Sequence, residues 1–348
     1  MSPVITIDGS QGEGGGQIVR SSLALSMVTG QPIQIDNIRA GRKKPGLKRQ
    51  HLTALQAAVA ISNAEVEGVE PGTSQFSFTP QAVQPGEYYF SVGTAGSATL
   101  VLQTILPALM LADAPSTVTI EGGTHNQWAP PYDFLERAYL PLLKRVGPEV
   151  ELTLHRRGFF PAGGGKFTAY IKPCGKLKQL DLLQRGTLKK KTVEALVAKL
   201  PPKIGNREVQ TILRHLRWPE SQGRVREVDS IGPGNIVQIF LEFANVCEVI
   251  SACGRQGPPA EAVAKEAVVE AREFLDSSAV VGQHLADQLL LILGLSAAQG
   301  NGGAFRTLPL TQHSLTHIDV LKTFLDLDIT IEKIKESNEV IVRLSKSL

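Results

Sequence analysis

Three stretches of the chain repeat one order of apolar and polar positions: a helical run, a strand, a polar loop, a second helical run and two more strands. The first copy predicts helices over 16–29 and 47–61, with strands over 33–38, 64–69 and 75–79. The second predicts helices over 97–111 and 132–145, with strands over 117–121, 150–154 and 166–171. The third predicts helices over 284–294 and 315–325, with strands over 305–308, 329–334 and 339–344. Each copy is expected to be a small α/β unit whose helices cover one face of a sheet.

About a hundred residues separate the second copy from the third, which is far longer than an ordinary connection. Their pattern predicts helices over 206–216 and 259–275, with strands over 192–197, 224–229 and 236–243. One sheet with two helices is enough to fold independently. We therefore predict a large domain built from residues 1–184 and 277–348, and a smaller inserted α/β domain over 185–276.

Composition narrows the class of protein. The 348 residues are 42% hydrophobic and 20% charged, which is sufficient for a buried core and two domains. The net charge is only +3, so any contact with nucleic acid must be a local basic patch. Three cysteines without CxxC spacing (Cys174, Cys247 and Cys253) argue against a disulfide scaffold or zinc site and favour a cytoplasmic protein. No apolar run approaches about 18 residues, so no membrane insertion is expected.

A glycine-rich segment over residues 8–17 follows a short alternating strand and leads directly into the first helix. Glycines allow backbone N–H groups to approach a phosphate, and the helix N-terminus adds partial positive charge. The spacing matches neither a Walker loop nor the GxGxxG dinucleotide motif. Glu13 would repel a phosphate unless a cation such as Mg²⁺ or Mn²⁺ lies between them. A glycine-rich turn with a solvated Glu13 is an equally good interpretation.

The repeat predicts that two loops of every unit converge near a pseudo-threefold axis. The loops around the first helices supply Gln11, Glu13, Arg20, Ser97, Gln103, His284 and Asp287. The loops before the second helices supply Arg39, Arg42, Lys43, Lys44, Arg49, Gln50, His125, Asn126, Gln312 and His313. Cations, acids and histidines on one side are typical of a phosphoryl-transfer site. The basic run could instead be a solvated helix edge, and Gln103 or Asp287 the wet face of a helix.

His313 lies where the predicted loop over 309–314 meets the following helix. The chain has no GxSxG elbow, so a serine-hydrolase triad is not supported. An isolated histidine is more often structural than catalytic. A neutral imidazole can nevertheless attack phosphorus and form a covalent intermediate without a triad, if an anion clamp and a metal are close.

Several segments together resemble the RNA 3′-terminal phosphate cyclases. They are residues 8–21, 38–42, 44–52, 96–104, 158–165 and 285–289, with the motif His313-Ser314-Leu315-Thr316. The resemblance covers nearly the whole chain and is weakest in the insert. It implies three βαβαββ-type repeats similar to the C-terminal domain of translation initiation factor three and to enolpyruvyl transferases. The implied activity is ATP-dependent conversion of an RNA 3′-phosphate to a 2′,3′-cyclic phosphate, through a histidine–AMP adduct and an RNA-(3′)pp(5′)A intermediate.

The same resemblance assigns residues, with His313 as the catalytic nucleophile and Glu13 as an acid linked to Mg²⁺ or Mn²⁺. The implied nucleotide-binding positions are Gln103, Pro130, His284, Leu285, Ala286, Asp287 and Gln288. The implied phosphate-binding positions are Arg20, Arg39, Arg42, Gln50 and His125. His284 stands where related sequences can carry a tyrosine that stacks on adenine, opposite Pro130 or Pro131.

Two other classes of protein share features of this pattern. A non-catalytic relative in ribosome assembly has the same architecture but lacks the catalytic histidine, so His313 disfavours it. An enolpyruvyl transferase would need two such domains of similar size, whereas this chain has one plus an unrelated insert. The implied partners are ATP and an RNA with a 3′-phosphate end. Neither a membrane nor an obligate protein partner is indicated.

Overall fold

A computed structural model describes residues 3–347 as a mixed α/β protein, which confirms the predicted fold class. The first repeat contains β1 (Ile5–Asp8), α1 (Gly16–Thr29), β2 (Ile33–Asp36), α2 (Arg49–Ser62), β3 (Glu65–Glu67) and β4 (Phe76–Thr79). The second contains β5 (Glu87–Ser91), α3 (Ala98–Leu109), β6 (Ser116–Gly122), α4 (Tyr132–Phe134), α5 (Leu140–Val146), β7 (Glu149–Arg156) and β8 (Gly165–Lys172). A π-helical turn over Leu135–Tyr139 joins α4 to α5.

The third repeat is interrupted after its first strand, β9 (Leu180–Leu182). The intervening residues form β10 (Leu188–Ala198), α6 (Lys203–Leu216), β11 (Gly223–Glu227), β12 (Gly234–Phe243), β13 (Cys247–Cys253) and α7 (Ala260–Asp276). The repeat resumes with α8 (Gln283–Ala298), β14 (Gly303–Thr307), α9 (Gln312–Phe324), β15 (Leu327–Lys333) and β16 (Val340–Lys346). The insertion therefore lies between the first strand and the first helix of the third repeat.

The three repeats have one topology. Their sheets run in the orders β1-β2-β4-β3, β5-β6-β8-β7 and β9-β14-β16-β15. In each sheet the first two strands are parallel and the remaining pairs are antiparallel. A parallel pair needs a crossover connection, and the first helix of each repeat supplies it. The predicted βαβαββ order is confirmed, whereas similarity to other fold families stays a prediction.

The helices lie inside and the sheets outside. The second helix of each repeat packs against the first helix of another, since α2 contacts α3, α9 contacts α1, and the π-helical turn contacts α8. Helices α1 and α8 are buried on nearly all sides, as their predominantly apolar sequences require. A single hydrophobic core extends through all three repeats. This cyclic packing brings equivalent loops of the repeats together.

The intervening residues form their own sheet in the order β11-β10-β12-β13, with α6 and α7 packed on one face. Strand β13 contacts the π-helical turn of the second repeat. The domain boundaries near residues 185 and 276 stay a prediction. Within residues 3–347, no helix is long and apolar enough to cross a membrane.

Several local features differ from the sequence prediction. Strand β5, at the edge of its sheet, was not predicted. Strands β9 and β13 were not predicted, because β9 has three residues and β13 is buried on both faces and so lacks alternation. The helix over 132–145 contains a π-helical turn just before Pro141, which has no N–H for regular helical bonding. Helix α9 starts at Gln312 rather than 315, because the Thr311 hydroxyl caps it by accepting a hydrogen bond from Ser314 N–H (3.2 Å).

Candidate active site

Helix N-termini from all three repeats meet on one face of the molecule. The Thr316 hydroxyl, in the first turns of α9, accepts a hydrogen bond from Glu13 N–H (3.1 Å) in the loop before α1. The Gln50 side chain, at the start of α2, accepts one from Ser97 N–H (3.1 Å) at the start of α3. The first N–H groups of a helix have no partner within the helix. Several helix starts on one face therefore form a site suited to phosphate groups.

His313 lies in the first turn of α9. The prediction that it lies in the loop before this helix is wrong, because the helix starts about one turn earlier than predicted. Its side chain is 37% exposed. Its Nδ1 is 3.0 Å from Asp287 Oδ1. An ionised carboxylate can only accept hydrogen bonds, so Nδ1 carries the proton. The Nε2 lone pair is then free to act as a nucleophile.

Asp287 lies in the second turn of α8 and is almost completely buried. Its Oδ1 also accepts hydrogen bonds from Gln17 Nε2 (3.0 Å), His317 Nδ1 (3.4 Å) and the Ser314 hydroxyl (3.4 Å). Burial opposes ionisation, but the hydrogen bonds and charges of His313 and His317 outweigh it and hold the pKa of Asp287 well below its usual range. Asp287 is therefore ionised at neutral pH. The wet-face interpretation of Asp287 is excluded by its burial.

Arg20 and Gln103 lie beside this carboxylate. Gln103 Oε1 accepts a hydrogen bond from Arg20 Nε (3.3 Å), and Gln103 Nε2 donates one to Gln288 Oε1 (2.7 Å). Burial lowers the pKa of Arg20 to about 10, against the attraction of Asp287 and Glu13. Arg20 is still a cation at neutral pH. Within residues 3–347, its hydrogen bonds involve Nε only, so its terminal nitrogens are available to a bound anion.

Glu13 forms an ion pair with Arg42, whose Nη2 is 2.7 Å from Glu13 Oε1. Arg42 Nη2 also donates to the Glu13 carbonyl (3.1 Å). Both side chains are partly exposed, so the pair lies at the mouth of the site. No group of three or more His, Cys, Asp or Glu side chains that could hold a metal ion occurs in the described part of the chain. In this structure the charge of Glu13 is balanced by a guanidinium.

Arg39 is buried and stabilises the conformation of the basic loop, which covers residues 39–46. Its Nη1 donates to the carbonyls of Lys44 (2.8 Å) and Gly46 (2.9 Å). Its own backbone is in the left-handed region, with φ of 53°. Lys43 and Lys44 are exposed beside Arg42. Arg39 therefore positions the loop, and Arg42 is the arginine of this loop that reaches Glu13.

His125 is completely enclosed. Its Nε2 is 2.7 Å from Asp133 Oδ2, and its Nδ1 is 2.8 Å from the Thr124 hydroxyl. Burial opposes ionisation of Asp133, but the hydrogen bond and charge of His125, with the charge of Arg157, lower its pKa. Both ring nitrogens are thus used inside the protein. The geometry supports a role in fixing the loop over 122–131 rather than direct contact with a substrate.

The predicted nucleotide-binding residues at the start of α8 differ in their exposure to solvent. The His284 side chain is 75% exposed, with its Nε2 3.7 Å from Glu270 Oε1. Leu285 and Ala286 have no exposed surface, so of these two only the backbone could contact a ligand. The Pro130 carbonyl accepts a hydrogen bond from the Thr99 hydroxyl (2.7 Å), which holds Pro130 over the first turn of α3. His284 thus lies at the start of α8, and Pro130 lies at the start of α3.

Three site residues were not predicted from the sequence: Gln17, His51 and His317. Gln17 and His317 contact Asp287, as described above. His317 lies one helical turn beyond His313, but in the sequence this spacing is explained equally well by a histidine that caps or covers the helix, so it did not assign His317 to the site. A Cβ atom at Gly16 would lie 2.2 Å from His51 Nε2, so the glycine permits close packing of α1 on His51. Burial, then the nearby cations, lower the pKa of His51 to about 3, and this ring is neutral.

The fold and site define an α/β protein with three βαβαββ repeats, whose helix starts surround a histidine and cationic side chains. A family model described as RNA 3′-terminal phosphate cyclase matches residues 11–331. The chain belongs to the RNA 3′-terminal phosphate cyclase family.

Curated relatives named RNA 3′-terminal phosphate cyclase align along almost the entire chain. One from Koribacter versatilis is 51% identical over 343 residues, covering 98% of this chain and 95% of the relative. One from Salmonella agona is 46% identical over 343 residues, covering 98% of each. One from Ralstonia nicotianae is 46% identical over 346 residues, covering 99% of this chain and 98% of the relative.

Proposed function

We propose that this chain is an enzyme that uses ATP to convert an RNA 3′-terminal phosphate to a 2′,3′-cyclic phosphodiester. The observation that carries the proposal is the His313–Asp287 pair, which frees one imidazole nitrogen at a face of helix N-termini. Membership of the cyclase family supports the same reaction. A non-catalytic RNA-processing or ribosome-assembly role is the alternative, and it gives no reason for an exposed, oriented histidine.

In the first step, His313 Nε2 attacks the α-phosphorus of ATP. A P–N bond forms, the bond to the bridging oxygen breaks, and pyrophosphate leaves. The ring of His313 becomes cationic, because Nδ1 keeps its proton. The buried carboxylate of Asp287, 3.0 Å from that nitrogen, stabilises this positive charge. Because the phosphorylated ring is cationic, it departs as neutral imidazole, which is a good leaving group for the next step.

In the second step, an oxygen of the RNA 3′-phosphate attacks the same phosphorus and the P–N bond breaks. The products are neutral His313 and the RNA-(3′)pp(5′)A intermediate. In the third step, the 2′-OH attacks the RNA phosphorus and releases its proton to solvent. The bond from that phosphorus to the oxygen shared with AMP breaks, and AMP leaves as the cyclic phosphate forms. This step is intramolecular, which removes most of the entropic cost of bringing the groups together. It also requires a ribose at the RNA end.

The remaining site residues have roles that follow from their contacts. Arg20 offers free guanidinium nitrogens to a phosphate, and Arg42 lies at the entrance. The proposed nucleotide-binding residues are Gln103, Pro130, His284, Leu285, Ala286, Asp287 and Gln288. Arg39, Gln50 and His125 hold the surrounding loops by hydrogen bonds inside the protein. Arg20 and Arg42 are therefore the arginines proposed to touch phosphate.

A divalent cation fits this site only in part. Glu13 supplies one carboxylate, of which Oε1 is paired with Arg42. Mg²⁺ commonly takes one or two protein carboxylates and completes its shell with water and substrate phosphates, so a single acid is compatible with it. We propose that Glu13 would hold Mg²⁺ or Mn²⁺, which would supply charge neutralisation at the ATP phosphates.

Replacing Glu13 with glutamine tests the metal role. The variant keeps the size of the side chain and removes its charge. If Glu13 binds the cation, the variant should need several-fold more Mg²⁺ for half-maximal self-adenylylation, because a ligand charge is lost. Arg42→Ala is the matched control, since it breaks the same ion pair but leaves the carboxylate. An unchanged Mg²⁺ titration for Glu13→Gln would remove the metal assignment.

Arg42→Ala tests the basic loop. Loss of a charge-assisted hydrogen bond to phosphate should lower kcat/KM for cyclisation by roughly 1.5–3 kcal/mol, or about 10- to 150-fold. Lys43→Ala, an exposed neighbour, should change kcat/KM by less than about threefold. Steady-state assays at subsaturating RNA provide both values. A kcat/KM for Arg42→Ala equal to that of the parent protein would reduce the loop to a solvated helix edge.

The proposed activity is tested with a purified chain, ATP, Mg²⁺ and an RNA that ends in a 3′-phosphate. The expected product end resists a phosphatase that removes a phosphomonoester. An otherwise identical RNA with a 3′-OH should give no product and consume no ATP beyond self-adenylylation. A chain that binds the RNA but neither forms an AMP adduct nor cyclises the end would favour the non-catalytic alternative.

A further inference from the structure

Two aromatic side chains on loops beside the site are strongly exposed. Trp128 is 89% exposed and Phe160 is 76% exposed. The loop of Trp128 is anchored on both sides of the ring, because Asn126 Nδ2 donates to the Ala95 carbonyl (2.5 Å) and Tyr132 N–H to the Thr124 carbonyl (2.9 Å). A large aromatic ring is less stable in water than buried against other apolar groups. Such exposure on an anchored loop points to a bound partner.

The two loops are neighbours on one surface. His125 and Phe159 form a parallel β-bridge, and their rings lie 5.4 Å apart between centroids. Trp128 follows the first of these residues by three positions, and Phe160 follows the second by one. At about 3.5 Å per residue, their Cα atoms lie within roughly 20 Å of each other. A short length of nucleic acid can therefore reach both rings.

This surface is continuous with the candidate active site. Pro130, two residues after Trp128, is held by Thr99 in the first turn of α3, one turn before Gln103. The start of α3 is joined to the start of α2 by the hydrogen bond between Ser97 and Gln50. The exposed lysines of the basic loop lie just before α2. The two exposed aromatic rings therefore lie near the basic loop, at the entrance to the candidate active site.

We propose that Trp128 and Phe160 are a stacking surface for the bases upstream of the 3′-terminal nucleotide of the RNA. This inference rests on the proposed function, since it gives the strand upstream of the reacting phosphate a place on the protein. Proteins that bind single-stranded nucleic acid combine cations for the backbone with aromatic rings for the bases. Such stacking tolerates any sequence, because every base has a π-face.

The experiment compares RNA substrates of different length in parent and variant proteins. For a 3′-phosphorylated RNA of about ten nucleotides, Trp128→Ala and Phe160→Ala should each raise KM by about 5- to 150-fold, the scale of one base–aromatic stack. For a nucleoside 3′-phosphate with a free 2′-OH, which has the terminal base but no upstream nucleotide, KM should be unchanged. Val269→Ala, at a 67% exposed apolar residue on α7, is the matched control and should affect neither substrate. Equal KM increases for long and short substrates would make the rings structural and overturn the proposal.

A second measurement separates failure of this proposal from failure of the proposed function. Trp128 and Trp218 are the two tryptophans of the chain, so Trp218→Phe leaves Trp128 as the single indole reporter. Binding of the ten-nucleotide RNA should quench its fluorescence, and an RNA lacking the bases nearest the 3′-phosphate should not. This readout requires no catalysis. If self-adenylylation and cyclisation occur but neither ring variant changes KM for the long RNA and no quenching occurs, the stacking surface is wrong while the proposed function stands. If the chain has no cyclase activity but RNA still quenches Trp128 fluorescence, the stacking surface is correct and the proposed function is wrong.

Discussion

Replacing His313 with alanine is expected to abolish both the protein–AMP adduct and RNA cyclisation. His313 is the exposed imidazole held by Asp287, whereas the ring of His317, which contacts the same carboxylate, is buried. The loss should be at least about a thousand-fold, the scale seen when enzymes lose a covalent nucleophile. Adduct formation is measured with α-labelled ATP and Mg²⁺, and cyclisation with a 3′-phosphorylated RNA.

The fold should survive this change. The cap of α9 is formed by Thr311 and Ser314, and both remain in the variant. Circular dichroism and thermal unfolding should therefore match the parent closely. His155→Ala, which removes an exposed histidine on β7 hydrogen-bonded to Thr168, is the control and should retain normal activity. An adduct that persists in folded His313→Ala protein would show that another residue is the nucleophile.

Asp287→Asn is expected to slow adenylylation by up to roughly 10⁴-fold, the loss found when the carboxylate that orients a catalytic histidine becomes an amide. The amide has the same shape but no charge, so it neither fixes the proton on His313 Nδ1 nor stabilises the cationic ring. The rate is measured in single turnover at saturating ATP. An unchanged single-turnover rate would contradict the orienting role.

The second histidine on the same oxygen provides a graded comparison. His317→Leu removes one donor to Asp287 and should slow adenylylation, whereas His317→Asn keeps an N–H donor and should recover most of the rate. Thermal unfolding of both variants distinguishes a packing defect from a loss of orientation. Equal rates for the leucine and asparagine variants at equal stability would show that the bond from His317 is dispensable.

The repeat architecture could be predicted because each unit has strong helical periodicity and short loops. The predicted bounds of α1 match the structure at both ends, since a glycine-rich loop precedes it and Gly30 caps its C-terminus in the left-handed region. Strand β9 could not be predicted, because a three-residue strand is defined only by its pairing with β14 about 120 residues later. The position of the insertion within the third repeat depends on that pairing.

The sequence could predict which residues are candidates for the site, but not how their side chains contact one another. The sequence marks Asp287 and His313 as candidates, but their separation of 26 residues says nothing of the 3.0 Å contact between them. Arg39 and His125 were predicted to line the phosphate pocket. In the structure both are buried and hydrogen-bonded inside the protein. Burial of polar side chains is set by tertiary packing and cannot be inferred from a local pattern.

The central claim is that ATP transfers AMP to a nitrogen of His313. The most direct measurement incubates the parent protein with α-labelled ATP and Mg²⁺, denatures it, and maps the label by peptide mass spectrometry. The expected label lies on the peptide containing Gln312–Phe324, at His313, and is lost in acid but stable in alkali, as a P–N bond requires. Label on a serine, lysine or carboxylate, label that survives acid, or a protein that forms no adduct would contradict the account.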